Sequence, residues 1–168
     1  MTITSSPWGR ALAVTTVAAA TLALAGCSLL GNIVAGDNPG TGTDTGEGTD
    51  TDVFTIVVGD CLNDGSVEGE VSTVKTIDCA EPHDSEAYAS VIMTDGEFPG
   101  DQAVQDQAIA DCTSEFSAFV GLDYESSIYN FSYYYPTSES WAQGDREILC
   151  LIIDEAGKTT GSLAGIAR

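Results

Sequence analysis

The sequence predicts an α+β domain: a small antiparallel sheet with one main helix packed on it, braced by two disulfides. Three observations point there. Short segments rich in β-branched and aromatic residues lie on either side of the middle of the chain, within 54–93 and 128–153. Between them, apolar residues recur every four positions after Pro99-Gly100-Asp101. Four cysteines, Cys61, Cys79, Cys112 and Cys150, are shared among these segments. Strands, then one helix, then strands again is the order of a helix layer on a sheet.

The chain has 168 residues, with 26 acids against 5 bases, one His and five Cys. That length accommodates one ordinary domain. A hydrophobic fraction of 43% is enough for a core, so the acidity does not disorder the whole chain. The net charge of −21 disfavours nucleic acid and anionic headgroups as partners, because both repel the surface and neither finds Lys/Arg clusters.

Residues 1–26 read as an address rather than as part of the fold. Arg10 precedes an apolar run, Ala11 to Gly26, with no acid upstream, the layout of a secretory signal. At 16 residues the run falls short of the roughly 20 that cross a bilayer as a helix. Its ending, Leu24-Ala25-Gly26-Cys27, resembles the lipobox of bacterial lipoproteins. That resemblance implies cleavage before Cys27, a diacylglycerated thiol, and anchorage on the outer face of the cell membrane. Without Arg10 the mature chain carries 26 acids and 4 bases, a net charge of −22. Residues 27–52 then read as a disordered tether of Gly, Thr and Asp, without any aromatic residue. Such a chain reaches roughly 25 Å on average.

The folded part is expected from Val53 to Arg168, 116 residues. Phe54 to Val58 is a β-branched and aromatic run stopped by Gly59-Asp60, and Val71 to Ile77 alternates Val and Thr with polar neighbours; both predict strands. Glu86 to Met93 predicts a third, with Ala87, Ala89, Val91 and Met93 on one face and Glu86, Tyr88, Ser90 and Ile92 on the other, ended by an Asp95-Gly96 turn. Val104, Ala108, Cys112, Phe116 and Val120 then form an amphipathic stripe, widened by Ile109 and Phe119 and stopped near Gly121. Ile128 to Tyr135 places Tyr129, Phe131, Tyr133 and Tyr135 on one strand face. Glu147 to Ile153 is a nearly continuous apolar strand.

Beyond an oxidising boundary, four thiols favour two disulfides. Of three possible pairings, Cys112 with Cys150 staples the helix stripe to the apolar strand, which leaves Cys61 with Cys79. The separations of 18, 33 and 38 residues contain no CxxC pair, so neither a four-cysteine zinc site nor a thioredoxin-like redox motif fits, and no metal or other cofactor is expected.

Candidates for chemistry are few. His83 stands in Cys79-Ala80-Glu81-Pro82-His83-Asp84-Ser85-Glu86, among carboxylates able to share a proton or a cation with it. The competing reading is a ring that fixes the turn after Cys79 through hydrogen bonds to backbone or to Glu86. Asp60 to Gly65 matches a calcium loop at its first, fifth and sixth positions, but Leu62 and Val71 break the third and twelfth. Trp141, with Gly144-Asp145-Arg146 just after it, offers a recognition patch; alternatively Trp141 lies over the sheet while Arg146 pairs with a carboxylate as a framework residue. Tyr129, Phe131, Tyr133, Tyr134, Tyr135 and Trp141 are dense enough for an aromatic strip, although half must face the core.

Taken in order, Val58-Gly59-Asp60-Cys61-Leu62, Asp78-Cys79, Pro82-His83, Glu86, Phe98-Pro99-Gly100, Cys112, Val120-Gly121, Pro136, Trp141, Gly144-Asp145-Arg146, Cys150 and Thr160-Gly161-Ser162-Leu163 resemble the septum-formation domain of actinobacterial exported proteins. The resemblance spans about Val58 to Gly165. It implies a role at the division septum or cell envelope, with no catalytic residues to carry over. The expectation is therefore a non-enzymatic module, anchored through Cys27, that binds another exported protein or a wall component. Its rivals are a wall-acting enzyme using His83 with Glu86, for which His83→Ala abolishes turnover with the fold intact, and an acidic cation-binding lipoprotein stabilised by calcium.

Overall fold

The β-branched and apolar segments pair side by side into one antiparallel sheet, and each face of it is covered by a different part of the chain. In the computed structural model, which describes residues 48–67 and 69–168, the strands are β1 (Thr49–Asp52), β2 (Cys61–Asn63), β3 (Thr73–Ile77), β4 (Ser85–Ile92), β5 (Asn130–Tyr134) and β6 (Glu147–Ile153). Their order across the sheet is β1-β3-β2-β4-β6-β5, every pair antiparallel. The helices are α1 (Asp101–Val120) and the short α2 (Ser138–Ala142). This is the α+β fold expected, with one main helix on the sheet. The expected signal segment at 1–26, Cys27 and most of the segment expected as tether lie outside the described residues. Among the described residues no helix is long and apolar enough to cross a membrane.

α1 runs over the predicted span. It starts after Gly100 and ends where Gly121, at φ 82°, donates its N–H to the Ser117 carbonyl, a left-handed cap that side chains with a Cβ rarely adopt. Val104, Ala108, Cys112, Phe116 and Val120 are all fully buried. A spacing of four precesses only slowly around the helix, so the buried stripe is narrow. Ile109 accordingly stands 49% exposed instead of widening it, while Phe119 is half-buried. Phe116 packs edge-on against Tyr88 and Tyr124, with ring centres 5.7 and 5.3 Å apart.

β6 is apolar from Ile148 to Ile153 because both its faces are covered there. Ile148, Cys150 and Ile152 join the core under α1, and Leu149 and Leu151 join Ile56, Leu62, Val74 and Ala87 on the opposite face. β4 departs from simple alternation. Its register with β6 slips between Ala87, opposite Leu151, and Ala89, opposite Cys150, so Tyr88 is an inserted residue. The bulge reverses the phase of the strand. Tyr88, expected on the face away from Ala89, therefore joins Ala89, Val91 and Met93 under α1, and Ala87 falls on the other side. The Tyr88 hydroxyl donates to the Cys112 carbonyl at 2.6 Å, and burial pushes its phenol above its ordinary pKa.

The first strand differs from the expectation. Phe54 to Val58 does not join the sheet. Asp52 Oδ1 accepts from the Phe54 N–H at 3.0 Å and turns Val53–Thr55 into a single 3-10 turn; Asp60 Oδ2 then accepts from the Val57 N–H at 2.9 Å. These local bonds compete with a ladder. The segment instead covers the sheet face opposite α1, with Ile56 buried. The place at the edge goes to Thr49–Asp52, inside the segment expected as tether. There Thr51 meets Thr76 hydroxyl to hydroxyl at 2.6 Å, and Asp50 pairs with Lys75 at 3.0 Å. β3 and β5 are shorter than the runs Val71 to Ile77 and Ile128 to Tyr135, whereas β6 matches its expected span.

Both disulfides join the expected partners. Cys112 and Cys150 link α1 to β6 with Cα atoms 5.5 Å apart, and Cys61 and Cys79 link β2 to the turn after β3 at 5.2 Å.

Candidate functional site

His83 sits just before β4 and has no exposed surface. Its backbone forms a two-way bridge with Thr159, donating at 3.0 Å and accepting at 2.9 Å. The side chain is equally committed. Nδ1 lies 2.9 Å from the Glu81 carbonyl, which can only accept, so Nδ1 donates there. In the neutral ring, Nε2 then accepts from the Thr159 hydroxyl, also at 2.9 Å. Glu86 is nearby and 2% exposed; it takes the Ser162 hydroxyl at 2.6 Å and the Leu163 N–H at 2.7 Å. The two residues thus hold the C-terminal segment 159–163 against the sheet.

Cys61, His83 and Glu86 place one potential ligand atom each within 4.8 Å of one another. The chemistry of that set argues against an open metal site: Cys61 sulfur is half of a disulfide, both ring nitrogens of His83 are occupied, and both Glu86 oxygens accept hydrogen bonds. The same burial gives His83→Ala an expected cost in stability whatever its effect on any turnover. That substitution removes two side-chain hydrogen bonds and opens a cavity, so it is expected to cost about 2 kcal/mol, read as a lower urea midpoint.

Trp141 and Arg146 form a second fixed assembly. Thr137 and Ser140 cap α2 reciprocally and aim Trp141 inward, where its Nε1–H donates to the Gly96 carbonyl at 2.9 Å. The Arg146 guanidinium lies 3.8 Å over the indole, and its Nη2 meets Asp95 Oδ1 at 2.8 Å. Phe98 packs edge-on against the same indole at 5.6 Å. Hydrogen bonding from Arg146 holds the Asp95 carboxyl below the usual carboxylate range. This clamp ties the Asp95-Gly96 turn to α2 and serves as framework. Arg146→Lys loses the planar fork and the stack, so a drop of about 1 kcal/mol is expected in denaturant titration; an unchanged midpoint would show the clamp to be idle.

The calcium-loop match at Asp60 to Gly65 is not realised. Cys61–Asn63 is strand, and the oxygens turn to separate partners. Asp64 accepts from Ser85 and from Tyr134, both at 2.7 Å, while Asp84 pairs with Lys158 at 2.8 Å. Burial, reinforced by the Asp64 charge, raises the Tyr134 phenol above its ordinary pKa. The aromatic residues divide as a sheet requires. Tyr129 is buried under α1 and Phe131, Tyr133 and Tyr135 are half-buried there, whereas Tyr134 faces the opposite side with Leu149. They do not form a single exposed strip.

Where Tyr134 emerges, the sheet face opposite α1 opens into a groove of about 600 Å³. It lies between the segment Val53-Phe54 and the β2–β3 loop at Val67 and Glu70 to Ser72 on one hand, and β5 with α2 on the other. Its lining was not legible in the sequence, since Phe54, Val71, Tyr134 and Glu139 come from four separated segments. The Thr159, Ser162 and Asp95 contacts were likewise unforeseen, although the run Thr160-Gly161-Ser162-Leu163 stands beside two of them.

A protein-family model described as septum formation matches residues 58–167. No curated protein and no solved structure matches the chain.

Proposed function

Given that the chain belongs to the septum-formation family, which links it to septum formation, we propose that it is a lipid-anchored, non-enzymatic module of the cell envelope that binds another exported protein or a wall component. Cys27 carries the anchor and residues 27–48 hold the domain close to the extracytoplasmic face of the membrane. One observation carries this reading. The side chains that the sequence offers for chemistry, His83, Glu86, Trp141 and Arg146, spend their polar atoms on holding the frame, and among the described residues of the groove the one serine or threonine hydroxyl bonded to a carboxylate, Ser140 to Asp145, belongs to the cap of α2. The lipobox-like Leu24-Ala25-Gly26-Cys27 supports the anchor, and two acyl chains suffice for stable attachment.

Fluorescence microscopy of the full-length protein in dividing cells tests the address, using a fluorescent domain that matures outside the cell. Enrichment at septa is expected, with Cys27→Ala releasing the signal from the membrane. An even membrane signal in the parent protein would sink the septal role.

A further inference from the structure

The groove on the open face has the chemistry of a peptide site, and the argument rests on the envelope-module reading above. Its apolar part is Val53, Phe54, Val67, Val71 and Tyr134, of which Phe54 is 60% and Val67 38% exposed. Large apolar side chains left in water beside a concavity mark a surface that is covered in use. Three carboxylates, Glu70, Glu139 and Asp145, stand in the same lining, and no Lys or Arg does. Among the described residues Lys75, Arg146 and Lys158 are each paired with an acid elsewhere, and Arg168 stands beside Ser127 outside the lining, so no base within the groove offsets its negative potential.

We propose that this groove receives an extended basic segment of another exported protein, in which lysine or arginine alternates with apolar residues. Extension follows from the sheet. β5 borders the groove and pairs with β6 alone, so its outer edge offers backbone hydrogen bonds to an added strand. In that strand the apolar side chains lie toward Phe54 and Tyr134, and the long stems of the basic ones reach back over the edge to the carboxylates of the rim. The protein's own tether is a poor occupant: no base occurs between Arg10 and Lys75, and its Asp and Glu residues repel the rim. A second copy, at a net charge of −21, is repelled in the same way.

The test uses the full-length protein in phosphatidylcholine nanodiscs, titrated against a fluorescein-labelled peptide alternating lysine with valine. Saturable anisotropy is expected, falling with salt, and absent both from empty nanodiscs and with glutamate replacing the lysines. The pair Glu70→Lys with Glu139→Lys is expected to weaken binding about tenfold, and Phe54→Ser by a similar factor. The pair Glu115→Lys with Glu125→Lys, which makes the same charge change at exposed positions on the α1 side of the domain and outside the groove lining, should leave binding within about twofold. Thermal melts establish that the variants remain folded. Equal weakening by both charge pairs would show diffuse attraction and overturn the groove. Insensitivity to Phe54→Ser, or no saturable binding, would overturn it too. Septal enrichment is read separately. Enrichment without peptide binding removes the groove alone, whereas peptide binding by a protein spread evenly over the membrane removes the septal reading alone.

Discussion

Replacing Cys112 and Cys150 together with alanine is expected to cost about 4 kcal/mol, the largest loss of any single feature in this fold. The bond spans 38 residues, so its removal returns a long loop to the unfolded ensemble. It is also a packing element. Both cysteines are fully buried, between Phe116 on α1 and Ile152 on β6, and alanine at each leaves unfilled volume. For a domain worth roughly 5–15 kcal/mol in total, the variant approaches the edge of folding at 37 °C. Cys61–Cys79 spans 18 residues and is expected to contribute about 3 kcal/mol by the same reasoning. Cys79 is partly exposed, unlike Cys112 and Cys150, so graded dithiothreitol followed by alkylation and mass spectrometry should find Cys61–Cys79 reduced first. An unchanged melting temperature for the Cys112→Ala, Cys150→Ala variant would show that α1 docks without its staple.

Glu86→Ala is expected to destabilise the domain by about 3 kcal/mol, because a buried carboxylate accepting two donors cannot be truncated without stranding them. The Leu163 N–H loses its only acceptor in a site closed to water, and the Ser162 hydroxyl loses its partner. Glu86→Gln separates charge from geometry. The amide oxygen can take the Leu163 N–H while the Ser162 hydroxyl rotates to accept from the amide nitrogen, so a loss of about 1 kcal/mol is expected. Hydrogen exchange at Leu163 gives an independent reading: protection falls in Glu86→Ala and largely returns in Glu86→Gln. Similar melting temperatures for wild type and Glu86→Ala would mean that the C-terminal segment is held by Leu163 packing instead.

These two sites also show where sequence reasoning reaches and where it stops. The Cys112–Cys150 pairing was legible because a helix stripe and an apolar strand each have a definite buried face, and a cysteine on both must meet across the layer. Glu86 was visible only as a carboxylate near the lone histidine, which reads as chemistry. Its partners Ser162 and Leu163 lie more than seventy residues away, and nothing local announces them. Arg146 was readable as a framework residue paired with some carboxylate, but its stack on Trp141 was not, and Asp95, the carboxylate it takes, looked like a turn residue. Phe54 to Val58 has strand composition, yet the carboxylates of Asp52 and Asp60 take its backbone N–H groups and turn it into a cover. Thr49–Asp52 has tether composition, yet a paired edge of β3 makes it a strand.

The α+β class, the limits of α1 and β6 and the two disulfide partners follow from periodicity and spacing along the chain, and the family from the resemblance carried by its ordered motifs. Tertiary structure alone decided which polar groups were still free to act. His83, Glu86 and Arg146 are the same residues in either reading, and only the segments folded against them make them framework. The bulge at Tyr88 and the groove beside Tyr134 are of the same kind. Both arise from register and from the meeting of distant segments, and those are set by the packing of the whole sheet rather than by the preference of any stretch within it.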